Sequence, residues 1–324
     1  MRRARLNPAP AAPRKPTMPP TPPAPVSPSR TRRWLALLGL APLLQACSPL
    51  RLINATVSPD THTVLADQAY GDDPRQRLDV YRPAGEPSGA GAPLAVFFYG
   101  GSWSSGDRAD YRFVGEALAS RGIVTVVADY RLSPAVRYPT FLQDCARAVR
   151  WAHDHAARLG ADPRRLHTVG HSAGAYNAAM MALDPRWLGE VGLAPAALAG
   201  WAGLAGPYDF LPIGLRDVQT AFNWPDTPSD SQPLFHATAA SAPSTAARHR
   251  VLLLAARSDL LVNPERNTVQ LGQALAARGV PVEVELFERV SHTTLIGALA
   301  RPLRGLAPVL DRLDAFLKTP PART

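Results

Sequence analysis

Residues 165–174 read Arg-Leu-His-Thr-Val-Gly-His-Ser-Ala-Gly, and their reading decides the rest of the chain. The span 165–169 has the composition of a strand and runs into Gly170. Gly170-His171-Ser172-Ala173-Gly174 then follows the pattern G-x-S-x-G, and Ala173–Leu183 is a helix of small and apolar residues. A serine on so sharp a strand-to-helix turn projects its hydroxyl above the edge of a sheet. Flanking glycines remove the side chains that would collide at that turn. By composition alone the pattern arises in roughly one chain in ten of this length. Here the strand before it and the helix after it supply the context the chemistry needs, so Ser172 is the candidate nucleophile.

Outward from this turn, strand and helix patterns alternate. Residues 94–99 form a continuous apolar run ending in Gly100-Gly101, as a buried parallel strand does. A helix is expected near 110–121, a second buried strand at 123–128, and a long amphipathic helix at 140–159. On that helix Phe141, Leu142, Cys145, Ala148, Val149 and Ala152 share one face. Further strands are predicted at 196–204, 251–256 and 281–287. Helices at 264–278 and 294–317 close the series, the last broken by Pro302 and Pro308. This order predicts the α/β class, with one open, mostly parallel sheet and helices on both faces. Residues 207–245 are irregular and rich in Pro, Ser and Asp; they read as a lid, a substrate loop or a plain surface loop.

A serine hydroxyl at neutral pH needs a base, and the base needs a carboxylate to orient it. On a sheet of this kind the chain order is Ser, acid, His. Only His236, His249 and His292 follow Ser172. His249 opens a predicted strand and His236 has no suitable acid before it, whereas His292 follows the last strand, which makes it the candidate base. Asp259 directly follows the 251–257 stretch and is the candidate acid, with Asp209 as the rival and a turn or helix-capping role as the plain alternative. Main-chain amides of Gly101 or Ser102, with that of Ala173, would face a developing oxyanion. Tyr99, Gly100 and Trp103 complete that loop.

Three stretches together resemble the α/β-hydrolase superfamily: Tyr99-Gly-Gly-Ser-Trp103 with Ser104-Ser-Gly-Asp107, then Asp129-Tyr-Arg-Leu-Ser-Pro134, then Gly170–Gly174. They are most similar to the carboxylesterases and kynurenine formamidases with an H-G-G-x-W loop, near the hormone-sensitive-lipase-like esterases. The resemblance spans about 64–317. It implies a serine carboxylesterase that cleaves a small-molecule ester, short- to medium-chain, through an acyl-enzyme. An arylformamidase is the alternative reaction, and a membrane-tethered binding protein without turnover the alternative of another class. Tyr99 stands where the family has His; that His braces the loop, and a Tyr hydroxyl would supply a different brace. Asp129 and Arg131 resemble the family's buried structural motif. Trp103 either packs under the loop or lines an acyl pocket. No cofactor or metal is expected: His153 and His155 lie two apart on a helix and face different ways. Cys145 reads as a small core residue and not a nucleophile, and His167 and His171 as packing or surface residues.

The chain's 324 residues carry a formal charge of +9, but the charge is uneven. Residues 1–46 hold eight basic side chains, no acid and 11 of the 34 Pro; removing those eight from 35 Lys and Arg leaves 27 against 26 Asp and Glu. The body is thus nearly neutral, which argues against a nucleic-acid partner. Arg30, Arg32 and Arg33 precede an apolar run at 34–44, about 16 Å as a helix and too short for a bilayer core. That is the layout of a secretory signal, with Met18 an alternative start. Leu44-Gln-Ala-Cys47 resembles a bacterial lipobox, which implies a lipidated Cys47, membrane contact through it, and a place on the periplasmic side of the outer membrane. The expected organisation is a signal at 1–46, a tether at 47–63, a catalytic domain at 64–318 and a tail at 319–324. The sequence carries no sign of oligomeric state.

Overall fold

The computed structural model describes residues 49–85, 91–238 and 249–320. The apolar run at 34–44 and Cys47 lie outside the described residues, as do 239–248 and the last four residues of the tail. Eight strands form one sheet: β1 (His62–Ala69), β2 (Arg77–Pro83), β3 (Ala92–Phe98), β4 (Val124–Ala128), β5 (Ala161–His171), β6 (Gly200–Leu204), β7 (Arg250–Ala256) and β8 (Val282–Phe287). Their order is β1-β2-β4-β3-β5-β6-β7-β8. β3 to β8 run parallel, while β2 pairs antiparallel with both β1 and β4.

Leu94 to Phe98 are fully buried, odd and even residues alike, because helices cover both faces of the sheet. α1 (Pro49–Asn54) is followed by α2 (Arg112–Ala119), α3 (Thr140–His155), α4 (Ala173–Leu183), α5 (Pro185–Glu190), α6 (Arg216–Ala221), α7 (Pro233–Thr238), α8 (Gln270–Ala276), α9 (His292–Gly297) and α10 (Val309–Lys318). α2 and α10 pack on one face; α3, α4, α7 and α8 form the layer on the other. The six residues expected on the inner face of α3 are all buried. Pro302 and Pro308 do separate α9 from α10, with a short 3-10 turn at Arg301–Leu303 between them.

Some expectations fail for local reasons. β1 and β2 were not anticipated. β1 is a mostly exposed edge strand with little apolar signal and a register break between Leu65 and Gln68, a feature that discourages edge pairing. The strand expected at 196–204 begins only at Gly200, because Pro195 opens a 3-10 turn over Pro195–Ala197. The segment expected as a tether is docked from α1 onward. The Asn54 amide donates to the carbonyls of Ala109 (2.9 Å) and Asp110 (3.0 Å), and its oxygen accepts from the Phe113 amide. Residues 207–238 are a built wall: Tyr208 and Phe222 are fully buried, and α6 and α7 lie within it.

Strand order reverses between β3 and β5, since the chain steps from β3 to β4 on one side and from β5 onward on the other. In an open parallel sheet the crevice at such a reversal, beyond the carboxyl ends of the strands, is where ligands bind. The loop after β3 and the turn after β5 meet at that place.

Candidate active site

Ser172 sits at φ +55° and ψ −123°, between the end of β5 and the start of α4. For a residue with a Cβ this is a strained conformation, held here by close packing. The Ser172 amide donates to the Leu204 carbonyl on β6 at 2.9 Å. A Cβ on Gly174 would lie 2.0 Å from the Phe98 carbonyl oxygen, and one on Gly170 would lie 2.0 Å from the Gly174 oxygen. Helix α4 is therefore seated directly on the end of β3, with the serine at its first turn. The Ala173 amide belongs to that turn, where amides have no intrahelical acceptor.

His292 begins α9, and Ser291 caps the helix through a reciprocal pair with Thr294. The His292 Nδ1 lies 2.7 Å from Asp259 Oδ2. A carboxylate only accepts, so Nδ1 carries the ring proton and Nε2 is left as the basic nitrogen. The other Asp259 oxygen accepts from the amides of Leu261 (2.8 Å) and Val262 (3.0 Å). Burial alone would raise the Asp259 carboxyl, but the bonds from His292, Val262 and Leu261 outweigh it and hold the group below the ordinary carboxylate range. The rival Asp209 lies apart from this pair: it bonds Arg266 at 2.9 Å on the pocket wall. His249 is buried beside Pro195, and His236 bonds the Asp230 carbonyl.

Across from Ser172 the chain turns sharply after β3. Gly101 has φ +129°, and Ser102 and Trp103 also lie at positive φ, +52° and +57°. The Gly101 carbonyl accepts from the amides of Ser104 and Ser105, both at 3.0 Å. Ser102, Trp103, Ser172, Ala173 and His292 line one cavity of about 340 Å³, with Gly101 shaping the turn behind it. Trp103 is buried, and its indole N–H donates to Asn177 Oδ1 at 3.0 Å. Its ring meets Tyr176 and Phe222 edge-on at 5.1 and 4.7 Å. It thus packs under the loop and also lines the cavity.

Tyr99 is fully buried, and its hydroxyl is the centre of a bracing network. It donates to Asp129 Oδ1 at 2.7 Å and accepts from Arg75 at 2.7 Å. Arg75 also donates to the carbonyls of Gly106 (2.8 Å) and Tyr130 (3.0 Å), so one guanidinium spans the loop's far end and the segment after β4. Asp129 further accepts from the Arg108 amide at 2.8 Å and from its guanidinium. Burial pushes the Asp129 carboxyl up, and the Tyr99 and Arg108 bonds pull it back. Burial, with Asp129 beside it, also drives the Tyr99 hydroxyl well above its ordinary value, so Tyr99 is a neutral donor. Arg131 instead pairs with buried Asp144 through two bonds of 2.8 Å.

Sequence reasoning missed Arg75, which reaches the loop from the unanticipated β1–β2 connection and carries no motif, and Arg108, which directly follows Asp107 at the end of the loop itself. It also left His171 as a packing or surface residue. His171 is buried, and its Nε2 donates to the His292 carbonyl at 3.0 Å, the rings 4.9 Å apart. Burial, then the neighbouring His292, lower the His171 pKa to about 3, so this ring stays neutral.

Comparisons with known proteins point the same way. A prolyl oligopeptidase family model matches residues 139–318, and a BD-FAE family model matches 78–187. Esterase LipI of Mycobacterium tuberculosis is 30% identical over 224 residues, 66% of this chain and 69% of that protein. Isoprenylcysteine alpha-carbonyl methylesterase ICME of Arabidopsis thaliana is 35% identical over 115 residues, 36% of this chain and 26% of that one. A butyrate-bound thermophilic esterase from Thermogutta terrifontis superposes with a TM-score of 0.62 at 25% identity, covering 79% of this chain and 93% of that one. The chain spans 30%, 58% and 36% of the length of the first three curated relatives it matches.

Proposed function

The chain belongs to the α/β-hydrolase superfamily, on its esterase branch, and from that premise we propose that it is a serine carboxylesterase acting on short- to medium-chain esters. The observation that carries this reading is the Asp259–His292 bond of 2.7 Å, in a cavity that His292 shares with Ser172 at its strained turn. His292 Nε2 takes the Ser172 hydroxyl proton as the oxygen attacks the ester carbonyl. Asp259 holds the Nδ1–H tautomer and offsets the charge that forms on the ring. The amides of Ala173 and of Gly101 or Ser102 donate to the tetrahedral oxyanion. His292 then protonates the departing alcohol, and a water deprotonated by the same nitrogen releases the acid from Ser172.

The cavity is consistent, in size and wall, with a short-chain ester. It sits at the small end of ligand pockets, which run to roughly 1,000 Å³. Among the described residues its wall is largely apolar, from Trp103, Phe210, Ile213, Leu215 and Val218. Initial rates of the full chain on p-nitrophenyl butyrate and on N-formylkynurenine decide the matter. The ester should turn over faster; a faster formamide would replace this reading with the arylformamidase one.

The reading also includes a lipid anchor on Cys47 that holds the enzyme to the periplasmic side of the outer membrane. It rests on the basic flank, the short apolar run and the Leu44-Gln-Ala-Cys47 sequence. Among the described residues no helix is long and apolar enough to cross a membrane. Incorporation of labelled palmitate that disappears in Cys47→Ala is the expected result; equal labelling of both proteins would overturn the anchor.

A further inference from the structure

Among the described residues, four large apolar side chains are more than half exposed: Leu52, Leu215, Leu260 and Leu261. Two of the four line the cavity of the candidate active site, and a third adjoins one of them in the chain. Leu215 (60% exposed) and Leu261 (67%) line the same cavity as Ser172 and His292, and Leu260, next to Leu261, is 96% exposed. They come from two different loops, one after β6 and one after β7. Single exposed leucines are ordinary on a protein surface, but two that line one opening, with a third next to one of them in the chain, are not scattered. Nor is the Leu260–Leu261 loop loose, because the Leu261 and Val262 amides bond the carboxylate that orients His292.

We propose that Leu215, Leu260 and Leu261 form an apolar lip that extends the ester-binding cavity onto the surface and selects for longer acyl chains. The occupant is the substrate's own alkyl chain, and the proposal rests on the esterase reading above. The cavity of about 340 Å³ must hold the ester group and its first carbons. A longer chain extends toward the mouth, where water would surround it if the rim were polar. Leu215 and Leu261 cover that exit, and Leu260 carries the apolar surface one residue further. Burying a methylene is worth about 0.8 kcal/mol, so each carbon seated on the lip should tighten binding by up to about fourfold. Short esters are seated deeper in the cavity and gain less from the lip. Selectivity for chain length therefore resides at these exposed leucines.

The test uses the full chain with Leu215, Leu260 and Leu261 all replaced by Ser, and a second variant with Leu260→Ser alone. The side chains are exposed, and the backbone amides that bond Asp259 remain. On p-nitrophenyl esters from acetate to octanoate, kept below micelle-forming concentrations, the native chain should show kcat/KM rising beyond butyrate. In the triple variant that rise should flatten through a higher KM, so that the ratio of octanoate to acetate kcat/KM falls; Leu260→Ser should show a smaller part of the loss. In parallel, ethyl butyrate, hexanoate and octanoate are titrated calorimetrically into Ser172→Ala with and without the three Ser replacements. Affinity should climb with chain length only where the leucines are present. Equal slopes with and without the leucines would overturn the lip. The binding series reads the lip even if turnover fails, whereas a native chain inactive on acetate would count against the esterase reading alone.

Discussion

Two turns face each other at Ser172, and they are held by different means. The turn between β5 and α4 is held by backbone against backbone. Gly170 and Gly174 let α4 sit on the end of β3 with no room for a single methyl group. The loop after β3 is held by side chains instead: the Tyr99 hydroxyl, the Asp129 carboxylate and the guanidinium groups of Arg75 and Arg108. The first kind of support is local and intolerant of added volume. The second draws on residues far apart in sequence, and its weak point is the loss of one polar atom. A buried carboxylate left short of a donor costs on the order of 1–3 kcal/mol.

The contrast breaks down if the two turns respond alike. Gly174→Ala should show the larger effect, because its new carbon must displace the Phe98 carbonyl and so the whole elbow. A misplacement near 1 Å costs about 10²-fold, and kcat/KM for p-nitrophenyl butyrate should fall by at least that much. Tyr99→Phe keeps the ring stacked on Tyr130 (4.9 Å) and Tyr111 (5.3 Å) but removes the hydroxyl. We expect about a tenfold loss, in kcat more than KM, with stability lower by roughly 1–3 kcal/mol. A null result would show that the Arg75 bonds to Gly106 and Tyr130 hold the loop without Tyr99.

A further effect concerns the buried histidines. Burial lowers the pKa of His167 to about 4 and of His171 to about 3, against about 6.5 in the unfolded chain. Between those values the unfolded state binds more protons, so stability rises with pH and falls as the solution is acidified. His167→Gln should remove up to about 1.4 kcal/mol per pH unit from the slope between roughly pH 4 and 6.5. Urea midpoints of both proteins across that range measure it, and parallel slopes would count against a neutral buried His167.

The same difference explains what could be read from the sequence. The elbow is legible at Gly170, Ser172 and Gly174 because its demands are met within five residues, and β3, α3 and α4 are legible because continuous burial and helical spacing are local patterns. Asp259 and His292 could be named from chain order and strand ends. Nothing local marks β1, whose exposed edge has no apolar alternation, or Arg75, whose bonds reach residues 24 and 31 positions away. The Leu260–Leu261 pair looks like a strand-end turn until the cavity beside it is seen.

Hydrolysis of p-nitrophenyl acetate by the full chain and by its Ser172→Ala variant tests the central claim most directly. The account predicts a loss of at least about 10³-fold in kcat, with the unfolding free energy within about 1 kcal/mol of the native protein. A folded Ser172→Ala protein that still cleaves the ester at the native rate would contradict it.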